Sequence, residues 1–377
     1  MMHKCSRLSP TSDIVGITSA QESVYATVGK LCRHFDLPRP KPAAIEVSRN
    51  KFAQCQFLAE ADVPVPAYRR ATNATKVESY AGGIGLPVIV KPAAGFGSSG
   101  VRLCPDADKL AEHTTYLLHE KCIWRSSPRM LVDEFAEGRH YSVEIIGNEV
   151  IGIGAVDFGC RPHFICREYI YRIVLTDDKH RRIVHVSLSC SQDLDVVRGP
   201  TNIDLRWTNL GPVVIGLDLR LAGTPNHLLI KLAYGIDLIT EHIKLIIGEK
   251  CNLRRSRSDT AGARIPIPNR DEIRAAISSD NRAAAALGVT EIKFSIEPKS
   301  PIVRTGDYRD KIGYIIAPSP DLGRTKAILQ CAADSIDWRP FPTQGKPGNN
   351  KLASLHCNFA QLVQGLRATL PAIKAVR

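Results

Sequence analysis

The sequence predicts an α+β protein, and three observations carry that expectation. A strand, a glycine-rich loop and a second strand lie between two helix-patterned segments within residues 75–119. Downstream, over 130–159, short β-branched runs alternate with turn signals such as EG, GN and FG. The chain has 377 residues, of which 44% are hydrophobic and 23% charged, the profile of a globular protein with room for two or three cores.

The elements follow in order. From Ser48 to Glu60, SRNKFAQCQFLAE places Phe52, Cys55, Phe57 and Leu58 at helical spacing, and ADVPVPAYR then breaks the helix with two prolines. Thr75–Gly82 and Asp106–His119 read as helices, the second opening on an aspartate cap. MLVDEFAEGRHYSVEIIGNEVIGIGAVDFG reads as an antiparallel meander. Strands are expected at Ile170–Leu175, Asn202–Thr208 and Pro212–Leu219, and a helix at Asn226–Leu232. Alternating β and α elements continue to about Trp338, after which FPTQGKPGNNK reads as a linker and LASLHCNFAQLVQGLRATL as an amphipathic terminal helix.

Composition excludes several function classes. No run of 18 uncharged apolar residues occurs, and MMHKCSRLSPTSD lacks the apolar centre of a secretory signal, so the cytoplasm is expected and a membrane partner is not. The 11 cysteines contain no C-x-x-C pair and are odd in number, which favours reduced thiols in the core over a disulfide framework or zinc site. The net charge of +12 concentrates in Lys179–Arg182 and Lys250–Asp259, where no interleaved aromatics offer base stacking. These clusters read as solvated faces, and nucleic acid is not an expected partner.

LPVIVKPAAGFGSSGVRLC, from Leu86 to Cys104, carries the chemistry. Gly95, Gly97 and Gly100 fit G-x-G-x-x-G, but a dinucleotide site needs that motif to open a helix and VRLC reads as a strand. The Gly-Lys-Ser/Thr ending of a Walker loop is missing, and so is the H-R-D segment of a kinase catalytic loop, without which the lone D-F-G at Asp157–Gly159 does not make a kinase set. Here the lysine, Lys91, ends the strand before the loop. It supplies a point charge, while Gly95 to Gly100 let backbone N–H groups approach phosphates closely.

With GLPVIVKPAAGFGSSGV on the page, the chain resembles the ATP-grasp superfamily, and over roughly 45–335 it follows that superfamily's motif order. Asn50-Lys51 looks like the opening of the helix whose lysine reaches ATP phosphates. VDEFAEGRHYSVE resembles the hinge that grips adenine. GPVVIGLDLRLAGTPNHLLIKLAYGIDL resembles the metal-binding strand, its arginine, a substrate loop and the A-x-G-I-D-L helix end of the L-amino acid ligase branch. The resemblance implies an ATP-grasp fold of two α+β subdomains after a truncated Rossmann-like portion. The implied divisions are 1–75 as reduced amino-terminal portion and linker, 76–138 as small subdomain, 139–340 as large subdomain, and 341–377 as linker and terminal helix.

It implies ATP and magnesium as cofactors. Nucleotide contacts are expected from Lys51, Lys91, Gly95, Gly97, Ser98, Ser99, Gly100, Asp133, Glu134, Phe135, Ala136 and His140. Asp204 and Asp218 are the implied metal ligands, and Arg220 with Lys91 the catalytic charges. Glu144, His163, Arg167, Glu168, Gly223 and Asn226 are the substrate candidates, with Cys166 and Tyr169 standing where the branch has a glutamate and a histidine. Two departures stand out. Gly216 occupies the usual glutamate position of the metal strand, and His140 the position of the glutamate that receives the ribose hydroxyls.

The implied reaction is activation of a small-molecule or amino-acid carboxylate as an acyl phosphate, followed by amide formation with release of ADP and phosphate. Dipeptide formation and lactam closure are both open, the latter including a tabtoxin-type β-lactam ligase in specialised metabolism. The alternative is a non-catalytic nucleotide- or ligand-binding protein descended from such ligases, suggested by Gly216 and His140. A homodimer acting on an amino-acid-like small molecule is the implied assembly.

Overall fold

The computed structural model describes residues 14–19, 24–38, 44, 47, 50–95, 97–119, 129–193, 199–268, 273–276, 286–295 and 304–340. The linker and terminal helix expected beyond residue 340 lie outside them. Among the described residues the helices are α1 (Tyr25–His34), α2 (Lys51–Glu60), α3 (Ala74–Ile84), α4 (Ala107–His119), α5 (Asp177–Asp193), α6 (Asn226–Tyr234), α7 (Leu238–Ile246) and α8 (Leu322–Asp334). The first seven strands are β1 (Tyr68–Ala71), β2 (Val88–Pro92), β3 (Arg102–Cys104), β4 (Met130–Glu134), β5 (Arg139–Ile146), β6 (Glu149–Asp157) and β7 (Glu168–Tyr171). Seven more follow: β8 (Pro200–Thr208), β9 (Gly211–Asp218), β10 (Thr260–Arg264), β11 (Ile273–Ala276), β12 (Glu291–Phe294), β13 (Gly313–Ser319) and β14 (Asp337–Pro340). No described helix is long and apolar enough to cross a membrane.

A four-stranded sheet has the order β1-β4-β2-β3, an eight-stranded sheet the order β12-β13-β10-β7-β6-β5-β8-β9, and β11 pairs with β14. The small sheet is covered by α3 and α4. Asn73 and Asp106 cap these helices, accepting from Lys76 N at 2.9 Å and Lys109 N at 2.8 Å. Their apolar faces bring Val77, Ala81, Leu110 and Leu117 against Val88, Val90, Met130 and Val132. Full burial of each larger side chain stabilises by about 1.5–3 kcal/mol relative to exposure.

Period-2 alternation gives the large sheet two different faces. One carries Val143, Ile145, Ile153, Ile203 and Leu205 into a core with Ile183, Val186 and Cys190 of α5, and Ile170 and Ala317 into a core with Leu329 and Ala332 of α8. On the other face, Tyr171, Ala261, Ala263 and Ile316 pack beneath Leu229, Ile230 and Ala233 of α6. Towards β5, β8 and β9 that second face turns polar: Ser142 lies opposite Asp204, Glu144 opposite Asn202, and Asn202 opposite Asp218. This polar end is where the site lies.

Two expectations are corrected. The meander expected over 130–159 is divided, because Met130–Glu134 joins the small sheet and Arg139–Asp157 forms a hairpin in the large one. The intervening Phe135–Gly138 makes the crossing between sheets. Basic Lys179–Arg182, read as a solvated face, sits in the first turns of the 17-residue α5, with Lys179 and Arg182 each 5.1 Å from the Trp207 ring centroid. The strand expected at Ile170–Leu175 ends earlier, at Tyr171, because Arg172 turns the chain with φ 61°.

Candidate active site

The glycine loop is the connection between antiparallel β2 and β3, with Val88 opposite Cys104 and Val90 opposite Arg102. Its backbone is left-handed at Gly97 (φ 63°), Ser98 (φ 63°) and Gly100 (φ 68°), the region that glycine enters without steric cost. At Gly100 an added Cβ would lie 2.9 Å from Pro92 and 3.0 Å from Leu117, so space as well as torsion demands glycine there. His113 of α4 pins this end, its Nε2 lying 3.0 Å from the Gly100 carbonyl and 3.3 Å from that of Val90. Burial holds the imidazole down at about 4, so the ring is neutral and donates.

Two lysines meet beneath the loop. Asn50 caps α2 by accepting from Phe52 N at 3.1 Å and Ala53 N at 3.3 Å, which fixes Lys51 at the first helical position. The Lys51 ammonium donates to the Gly95 carbonyl, and its backbone N–H donates to Ala93 O at 2.9 Å. Lys91, buried, pairs with Asp133 across 2.5 Å. Burial alone would pull its ammonium down, but Asp133 beside it more than offsets that and leaves it above the ordinary lysine range. A charged lysine is thus kept at the base of the cavity.

The opposite wall is the polar end of the large sheet. Asp204 lies opposite Gly216, and a bulge follows, since Leu205 faces Val214. The nearest atom to a Cβ built on Gly216 would be the Asp204 Cβ at 3.9 Å, so this position opens straight onto the aspartate. Asp204 is 41% exposed and lies 3.2 Å from His140 Nε2, while the buried Nδ1 of His140 has no protein partner. Asp218 pairs with Arg220 at 2.7 Å. One cavity is lined by Lys51, Lys91, Gly95, Gly97, Ser98, Ser99, Asp133, Glu134, Phe135, Ala136, His140, Asp204, Gly216, Asp218 and Arg220. The sequence reading singled out these positions, and the lining also includes Gln54, Phe158, Phe164 and Arg206, which it did not name as site residues.

The other named residues fall elsewhere. Gly100 closes the hairpin, outside that lining. Glu144, wholly buried, accepts from Asn202 Nδ2 at 3.1 Å and from Ala222 N at 3.4 Å. Burial pushes its carboxyl up to about 8. Glu168 points to the opposite face of the sheet, where it pairs with Arg264 at 3.2 Å and lies 3.8 Å from Lys326. Arg167 packs on Gly159, and Gly223 and Asn226 form the start of α6, with Asn226 N donating to Gly223 O at 3.0 Å. His163 bridges to Arg102 of β3. These residues do not converge on the cavity, because β7 alternates its side chains and the loop before it runs to the small sheet. Cys166 and Tyr169, by contrast, do neighbour one another.

Three contributors escaped the sequence reading. Gln54 donates from Nε2 to Leu217 O at 2.6 Å and accepts at Oε1 from Leu217 N at 3.0 Å, satisfying the edge strand β9 between Gly216 and Asp218. Its signal was a glutamine at a helix position that faces inward. Phe158 and Phe164 join Phe135 in an aromatic end wall, with Arg206 5.0 Å from the Phe135 centroid and 5.6 Å from that of Phe164. No sequence period announces a wall assembled from three separate segments.

The donor set suits MgATP: two lysines and loop N–H groups for phosphates, an apolar slot at the hinge for a base, and two carboxylates for a hard cation that prefers oxygen and retains waters. Among the described residues no group of three or more His, Cys, Asp and Glu side chains is placed to hold a metal ion. A metal here would therefore lean on two aspartates, phosphate and water.

Known proteins place the chain. The family described as "Carbamoyl-phosphate synthase L chain, ATP binding domain" matches residues 49–254. Protein y4rH of Sinorhizobium fredii is 52% identical over 337 residues, covering 89% of this chain and 70% of that protein. Human carnosine synthase 1 is 24% identical over 354 residues, 87% of this chain, and the chain spans only 42% of its length. Among solved structures, the L-amino acid ligase from Bacillus licheniformis superposes with a TM-score of 0.78 at 17% identity, covering 90% of this chain and 84% of that one, which shows the shared fold. The match over residues 49–254 spans the glycine hairpin, Lys51, Lys91 and the carboxylate wall, and the chain belongs to this ATP-binding family of the ATP-grasp ligases.

Proposed function

We propose that the protein uses ATP to join an amino-acid-like carboxylate to an amine. The observation that carries this reading is that Lys51, Lys91 and the Asp204, Asp218 and Arg220 wall line one cavity. A carboxylate oxygen attacks the γ-phosphorus, the bond to the β,γ-bridging oxygen breaks, and ADP leaves. The amine nitrogen then attacks the acyl carbon, phosphate departs, and the nitrogen gives up a proton. Lys51 and Lys91 bind and orient phosphate oxygens, while Arg220 offsets charge on the transferred group. Asp204 and Asp218 would hold magnesium, which when bound neutralises charge between the β- and γ-oxygens. His140, whose Nε2 lies 3.2 Å from Asp204 Oδ1, would hold that aspartate at the cavity wall.

The names of the similar proteins, carnosine synthase and L-amino acid ligase, support an amino acid as one partner, and a product that is a dipeptide or lactam of specialised metabolism belongs to the same proposal. The proposal extends to a homodimer in the cytoplasm. The test is phosphate release from MgATP across a panel of amino acids and ω-amino acids, with the product identified by mass. Phosphate release that rises with one carboxylate and amine pair, together with the dehydrated product mass, is expected. No pair that stimulates release, with nucleotide still bound, would make the chain a binding protein.

A further inference from the structure

We infer that Tyr308 is a positioning residue that latches the glycine hairpin over the nucleotide cavity; the inference rests on the ligase reading above. Tyr308 lies beyond residues 49–254, and nothing in the hairpin motif announces it. Its backbone N–H donates to the Gly97 carbonyl at 2.9 Å. Its side chain covers Gly97 so closely that an added Cβ would lie 2.6 Å from the ring. Gly97, with φ 63°, is therefore held both by torsion and by this neighbour.

The support beneath Tyr308 is rigid. Asp310, fully buried, accepts from Thr305 N at 2.6 Å, Thr305 Oγ1 at 2.8 Å and Gly306 N at 2.9 Å. Asp307 accepts from Arg309 N at 3.0 Å and from its guanidinium at 2.8 Å. The hydrogen bonds that both carboxylates accept here come from within 305–310, so they set the shape of this turn and thereby aim the Tyr308 N–H at the hairpin. A second brace comes from the loop before β7: Leu103 N donates to Pro162 O at 3.0 Å, and His163 packs on Gly306, where an added Cβ would meet its ring at 2.6 Å. Two loops attached to the large sheet thus grip the hairpin of the small sheet at its tip and its return strand.

A hairpin held down in this way excludes water from an acyl phosphate. If it lifts, water replaces the amine as nucleophile, returning the free carboxylate and phosphate with no amide. The latch therefore governs the ratio of phosphate released to amide formed.

Tyr308→Pro deletes the N–H and suits the backbone, since Asp307 is extended (φ −140°, ψ −165°) and position 308 opens a short 3-10 turn. Tyr308→Ala keeps the N–H and removes the ring. In the nucleotide-free protein, hydrogen exchange at Gly97–Val101 is expected to quicken about tenfold in Tyr308→Pro and less in Tyr308→Ala, with exchange of β5 and β8 unchanged. Phosphate released per amide should rise about threefold or more in the same order. Hairpin exchange within about twofold of wild type in both variants would overturn the latch. Should Tyr308→Pro fail to fold, the cycle of Gly97→Ala with Tyr308→Ala decides: the rise in KM for ATP caused by Gly97→Ala should shrink by about threefold or more once the ring is gone, and an unchanged rise overturns the contact. Exchange needs no turnover, so a wild type that releases no phosphate counts against the ligase reading while the exchange result still decides the latch.

Discussion

At the scale of single residues, the site is a set of charges held apart by their own partners. Lys91 is kept ionised by Asp133 within an otherwise apolar sheet core, so Lys91→Ala removes the phosphate contact and also strands Asp133. We expect kcat to fall about 100- to 1,000-fold, the order seen when one preorganised charge-stabilising group is lost, with a lower melting temperature. Steady-state kinetics and calorimetry on the same sample check both. Gly216 gives the sharper case. Its register partner is Asp204, its backbone is not in the left-handed region, and space is open around its absent side chain. Gly216→Glu should therefore be accommodated, but places two carboxylates across adjacent strands, which costs about 0.2–1 kcal/mol without a cation. Magnesium should then raise the melting temperature of the variant more than that of wild type, and equal magnesium shifts would show that position 216 does not reach the metal.

At the scale of elements, what was legible in the sequence was local. The hairpin, the Asn50 and Asp106 caps and the strands at 200–218 each carry their signal within a few residues: glycines where φ is positive, capping side chains, alternation. Local alternation did not reveal the division of the 130–159 meander, although the resemblance implied a hinge there: Phe135–Gly138 reads as one more turn, and long-range pairing with β1 and β2 sends Met130–Glu134 to the other sheet. Glu168 was misplaced for a related reason. A one-residue uncertainty in a strand moves a side chain to the opposite face. Gln54 was invisible because its partner, the Leu217 backbone, is 163 residues away. It substitutes for a missing neighbouring strand at the edge of β9, so Gln54→Ala leaves two buried backbone groups unpaired, at about 1–3 kcal/mol each. The expected result is a lower denaturant midpoint with an unchanged slope, and a higher magnesium requirement as Asp218 loosens. A normal midpoint would mean that water replaces the amide without loss.

At the scale of the whole molecule, buried titratable groups set a pH range. His113 and His242 are both buried, and burial holds each imidazole down to about 4 from an ordinary 6.5. The unfolded chain takes up these protons below about 6.5 while the folded chain refuses them until about 4, so each histidine makes folding less favourable as pH falls through that interval, by roughly 3 kcal/mol in full. Glu144 acts in the other direction. Its carboxyl, pushed up to about 8, stays protonated in the fold while the unfolded chain has already ionised above 4.5, so its contribution is lost as pH rises from 4.5 to 8. Between 4.5 and 6.5 the two histidines outweigh the one carboxyl, and His163 and His227, also held down by burial, act with them, so stability rises with pH across this interval. His113 also ties this balance to the site, because its ring holds the Gly100 carbonyl at the closing end of the hairpin. His113→Gln retains an amide donor that cannot be protonated in this range. It should remove part of the histidine contribution to the acid slope, and leave nucleotide binding at pH 5 and pH 7 as in wild type, whose folded ring is still neutral at pH 5. Melting temperatures from pH 4.5 to 8, with ATP titrations at the two pH values, test this. An identical acid limb in wild type and His113→Gln would assign the acid sensitivity to His242 and the carboxylates instead.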